Sequence, residues 1–165
     1  KLVTQLAARL ESLFGRDNVI RDVDRLDLRT ASRLVLVNEV LSTCSHVLIL
    51  IGPRWHGNEH ISLDNSRDPV RIELEAALKK TGLTLLPVLV EDASMPRTQD
   101  LPASLAALGG LSPVNFGADL EVGLRRVIDL IRGRSAHSRA WLWPAVAAAI
   151  LVASLIVLLI VLTRP

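Results

Sequence analysis

The chain has 165 residues, 50% of them hydrophobic, and a formal net charge of +2. That length suits one domain of about 100–150 residues plus an appendage. The single cysteine, Cys44, excludes an intrachain disulfide and fits a reducing compartment. So small a charge, with the basic excess gathered towards the C-terminus, argues against a nucleic-acid-binding face.

Helical and strand patterns alternate from residue 1 to about residue 132. Leu2, Leu6, Leu10 and Leu13 recur at spacings of three and four, which predicts an amphipathic helix ending at Gly15. Asn18 to Val23 reads as a short strand running into the acidic turn Asp22-Val23-Asp24. A second helix is expected from about Ala31 to Ser42. The continuous apolar run His46–Gly52 has the signature of a parallel strand covered on both faces. After a polar loop, Asp68 is a good N-cap and Pro69 is pre-shaped for the first helical position, so a third helix should run to Lys80 and stop at Gly82. Leu83 to Glu91 reads as a second buried strand, in which Pro87 removes a ladder donor and predicts a bulge or a place away from the sheet centre. A last short strand is expected within LSPVNFG and a final helix from Asp119 to Ile131. Strands alternating with helices imply an α/β, doubly wound parallel sheet.

The C-terminal segment differs in kind. Residues 141–163 carry no charge and are apolar apart from Ser154 and Thr163. As a helix they would span roughly 33–36 Å, slightly more than a hydrocarbon core of about 30 Å. Trp141 and Trp143 stand at one end, where indole rings favour headgroups. The segment is therefore read as a transmembrane helix, preceded by a basic juxtamembrane linker over 133–140 and a globular domain over 1–132. Arg132, Arg134 and Arg139 precede it and only Arg164 follows, so the positive-inside rule predicts a single-pass membrane protein with its domain in the cytoplasm and the linker against lipid headgroups.

Several blocks then stand together: FGRDNVIRDVD, CSHVLILIGPRW, DPVRIELEAAL, and LLPVLVEDASMP with DLPASLAAL. In this order they resemble a bacterial TIR (Toll/interleukin-1 receptor) domain over residues 5 to 131. The resemblance implies a flavodoxin-like sheet of five parallel strands, ordered B-A-C-D-E. It also implies a role in signal transduction: many such domains hydrolyse NAD⁺ to nicotinamide and ADP-ribose products, and others are non-catalytic adaptors that associate with other TIR domains, including copies of themselves. No cofactor is implied, since NAD⁺ would be the substrate. The catalytic glutamate of the enzymes corresponds to Glu73 by its place in VRIELEAAL.

Helix geometry is compatible with that placement. Val70, Leu74, Ala77 and Leu78 form one apolar stripe; Glu75 points away from it, and Glu73 falls on its flank beside Ala76. A carboxylate there could stabilise the positive charge that builds on ribose as nicotinamide leaves, or be an ordinary surface residue in a helix's early turns. Trp55 follows the first buried strand at its C-terminal end, where open α/β sheets bind ligands, and could stack on a base or pack a loop. Arg71 could bind a phosphate or pair with Glu75 four residues on. Asp22 and Asp24 end a strand at the same edge, as substrate contacts or as turn caps. His56 and His60 are four apart, but the intervening glycine argues for a loop and against a metal site.

Two departures qualify the resemblance. The family's opening strand, reading like FISYR, is absent, so the chain is expected to be N-terminally truncated, with an interior gap in its sheet that leaves two unpaired edges or a new pairing. The segment after Asp24 also lacks the Pro-Gly turn that the family often carries.

Overall fold

A computed structural model describes residues 2–20, 33–53, 55, 63–138, 148–150 and 158–163. Four helices, α1 (Leu2–Phe14), α2 (Arg33–Ser42), α3 (Pro69–Lys79) and α4 (Leu120–Ser138), flank a sheet built from β1 (Val19–Ile20), β2 (His46–Ile51), β3 (Thr84–Leu89), β4 (Val114–Asn115), β5 (Ala148–Ile150) and β6 (Leu158–Thr163). The order across the sheet is β1-β6-β2-β3-β4, with β5 also paired to β6.

β2, β3 and β4 are parallel, in continuous register from His46↔Thr84 to Ile51↔Leu89 between the first two. All six residues of β2 are buried, as its unbroken apolar run requires. Alternation sends Val47, Ile49 and Ile51 to one face, against Val37 and Leu41 of α2 and Leu74 and Ala77 of α3. Leu48 and Leu50 go to the other face, against Leu6 and Leu10 of α1 and Leu124, Val127 and Ile131 of α4. Each fully covered leucine contributes on the order of 1.5–3 kcal/mol.

Helix ends follow their local chemistry. α1 stops where Gly15 takes φ 92°, a left-handed value that suits glycine. Asp68 caps α3, its carboxylate accepting from the amides of Val70 and Arg71. α4 runs on to Ser138, into the stretch read from sequence as a linker. It is fastened to α1 by an Arg9–Glu121 ion pair and by Arg132, whose guanidinium lies 5.9 Å over the Phe14 ring. Pro87 causes no bulge: it sits in register with Ile49, and β4 pairs with β3 only at Val88 and Leu89, leaving that side of β3 without a partner strand at Pro87 among the described residues.

The expectation for the C-terminal segment is corrected. Among the described residues no helix is long and apolar enough to cross a membrane, so the single-pass transmembrane helix, and the membrane location with a cytoplasmic domain deduced from it, are not supported. Ala148–Ile150 and Leu158–Thr163 are strands instead. β6 lies antiparallel between β1 (Val19↔Val161) and β2 (His46↔Val161 to Ile49↔Leu158). The sheet is therefore mixed rather than wholly parallel. An uninterrupted run of Val, Ile and Leu suits a strand covered on both faces as well as it suits a bilayer helix, and periodicity does not separate the two. Trp141 and Trp143 lie outside the described residues.

Candidate functional site

In an open α/β sheet the ligand-binding edge is the one where strands end and helices begin. Here β2 delivers Ile51, Gly52 and Pro53 to that edge, and β3 delivers the turn Glu91–Asp92. Both turn residues are left-handed, at φ 53° and 59°, a conformation that costs a non-glycine residue on the order of 1 kcal/mol. Between the two strand ends lies a cavity of about 240 Å³, bordered by Ile51, Pro53, Trp55, Met95 and Arg97. Arg97 is already engaged, its Nε 2.7 Å and its Nη2 3.1 Å from the two carboxylate oxygens of Asp100. That neighbour raises the Arg97 pKa through hydrogen bonding first and charge second.

Trp55 borders this cavity but is only 3% exposed, so its ring is packed in the core cluster with Ile49 and Ile51 and not displayed as a stacking platform. Glu73 is in the second turn of α3. At 2% exposure it is buried, because its flank of α3 is the one that packs on α2. Its Oε1 accepts from Nη2 of Arg33, the first residue of α2, at 2.5 Å. The side chains are 17% (Arg33) and 3% (Glu73) exposed. An ion pair this dry has a large desolvation cost offset by its Coulomb attraction, so each partner depends on the other.

Arg71 is a structural hub. Its guanidinium donates to Glu75 (2.7 Å), to the carbonyls of Leu63 (2.9 Å) and Asp64 (3.0 Å) and to Ser104 Oγ (3.3 Å). Ser104 in turn donates to Glu75 at 2.6 Å. Ser104, and Arg71 after it, hold the Glu75 carboxyl below its ordinary range. The i,i+4 pairing that the sequence offered for Arg71 is thus formed. Asp22 and Asp24 lie outside the described residues, as do His56 and His60. The structure accordingly brings Trp55 to the strand-end cavity, Glu73 to the α2–α3 interface and Arg71 to the loop beside α3, each in its own surroundings.

Arg33 was not singled out from sequence, and no local spacing could reveal it, because its partner lies 40 positions away. Among the described residues no group of three or more His, Cys, Asp or Glu is placed to hold a metal. Cys44 donates its thiol to the Val40 carbonyl at 2.9 Å, and burial pushes its pKa far up, so it stays protonated.

Comparison with known protein families, with curated proteins and with solved structures gives no match.

Proposed function

We propose that this chain is a TIR-type signalling module that acts by association with like domains, including copies of itself. Two features support the reading: the ordered blocks from FGRDNVIRDVD to DLPASLAAL, and helices on both faces of a sheet whose β2–β3–β4 portion is parallel. The observation that favours association over catalysis is the Arg33–Glu73 pair. The carboxylate that would act on NAD⁺ is 2% exposed and neutralised by a guanidinium. The strand-end cavity, at about 240 Å³, also falls below the roughly 300–1,000 Å³ of ordinary ligand pockets.

A second reading, NAD⁺ hydrolysis to nicotinamide and ADP-ribose products with Glu73 as the catalytic carboxylate, is favoured by one fact. α3 follows β2, so its early turns, Glu73 included, belong to the edge at which open α/β sheets bind ligands.

One experiment separates them. The full chain, free and crowded on beads, is incubated with NAD⁺ while nicotinamide is followed, and self-association is read in parallel by light scattering. The association reading expects concentration-dependent assembly and no nicotinamide. Release that disappears in Glu73→Gln overturns it in favour of the enzyme.

A further inference from the structure

A second concavity lies away from the strand ends, in the groove between α2 and α3. It holds about 490 Å³, within the range of ordinary small-molecule sites. Residues Ile72, Ala76 and Lys79 of α3 recur at spacings of four and three, and Leu34 and Asn38 of α2 at four, so each helix presents one continuous line to the groove. The line on α3 covers about 10 Å of helix axis. It is apolar towards the start of α3, where Ile72 lies, and Leu34 of α2, about half exposed, also lines the groove. At the other end it is cationic, with Lys79 and Lys80, and both lysines are solvent-exposed.

The groove's acid, Glu75, feels the charge of Lys79, but Ser104 and Arg71 act on it more strongly. Glu75 accepts from Arg71 and Ser104, and neither lysine makes an ion pair with a described residue. Lys79 also suits the last turn of α3, where a cation meets the helix's negative end. That accounts for one ammonium at this place but not for an apolar groove leading up to two of them.

We propose that the α2–α3 groove binds a small amphipathic carboxylate. Its apolar body lies along Leu34, Ile72 and Ala76, and its carboxylate is held between the Lys79 and Lys80 ammonium groups. Asn38 is placed to hydrogen-bond any polar group midway. The proposal does not rest on the association reading, since the groove's lining includes neither Arg33 nor Glu73.

Octanoate serves as the probe, titrated into the ¹⁵N-labelled full chain while amide shifts are followed. The expected result is saturable shifts confined to α2 and α3, with octanol (the same chain without charge) and acetate (the same charge without the chain) each far weaker. Lys79→Gln with Lys80→Gln, both exposed and expected to fold normally, should raise the dissociation constant by about three- to tenfold. Asn38→Trp, which fills the groove from an exposed position, should abolish the shifts. Octanol matching octanoate, an unchanged constant in the lysine variant, or shifts centred outside the two helices would each overturn the proposal.

Discussion

The Arg33–Glu73 pair permits a quantitative test of what holds α2 to α3. In Glu73→Leu the Arg33 guanidinium, 17% exposed, loses the carboxylate 2.5 Å from its Nη2. In Arg33→Met the Glu73 carboxylate, 3% exposed, loses its cation and stays inside. Removing one member of a buried pair costs about 3–5 kcal/mol when the other is left uncompensated. Arg33 and Glu73 each make a further interaction, so both single variants should fall towards the low end, Glu73→Leu most of all because Arg33 keeps some exposure. The double variant Arg33→Met/Glu73→Leu strands neither charge and covers the same interface with apolar groups, so it should recover most of that loss. For a chain of this size about 3 kcal/mol corresponds to a melting-temperature drop of roughly 6–12 °C. Urea midpoints and thermal melts by circular dichroism on the four proteins give the coupling energy directly. Single effects below about 1 kcal/mol, or a double variant equal to the sum of the singles within about 0.5 kcal/mol, would refute the reasoning that the pair is a mutually dependent buried unit.

Two glycines of α4 should respond in opposite directions to the same change. A Cβ on Gly123 would sit 2.5 Å from the Phe116 carbonyl oxygen and 2.6 Å from its ring, so Gly123→Ala should cost about 1–3 kcal/mol of stability, read as a lower urea midpoint, despite alanine's better helix propensity. Gly133 has nothing within 4 Å of that position, and Gly133→Ala should stabilise by up to about 1 kcal/mol. The Glu75 carboxyl lies below its ordinary value of 4.5 in the folded chain, so its contribution is fully present above that value and is lost as pH falls through the lower folded value. Stability measured across the acid range should accordingly fall less steeply below about pH 4.5 in Glu75→Gln than in the parent. Native Cys44, with its pKa pushed up by burial, should react with iodoacetamide only at the rate at which the chain opens, and labelling should accelerate through the urea transition; rapid modification of the folded protein at neutral pH would contradict that account.

Local chemistry made much of this protein legible from its residues alone. The helix α1, which buries Leu6 and Leu10 of its leucine series and leaves Leu13 exposed, its stop at Gly15, the Asp68-Pro69 start of α3, the unbroken apolar run of β2 and the Arg71–Glu75 pair are set by neighbours within a few positions, and each is found in the structure. The placement of Glu73 was legible only in part. Its angle beside the apolar stripe marked a boundary position, but whether that boundary met solvent or α2 depended on a helix some 40 residues earlier. The fate of Ala148–Ile150 and Leu158–Thr163 was not legible at all. Charge-free Val, Ile and Leu satisfy a bilayer and the interior of a sheet equally, because both environments ask only for apolar side chains and a fully paired backbone. Only the tertiary structure decided between them, through the unpaired edges of β1 and β2: backbone groups there needed a partner, and Leu158–Thr163 supplied it.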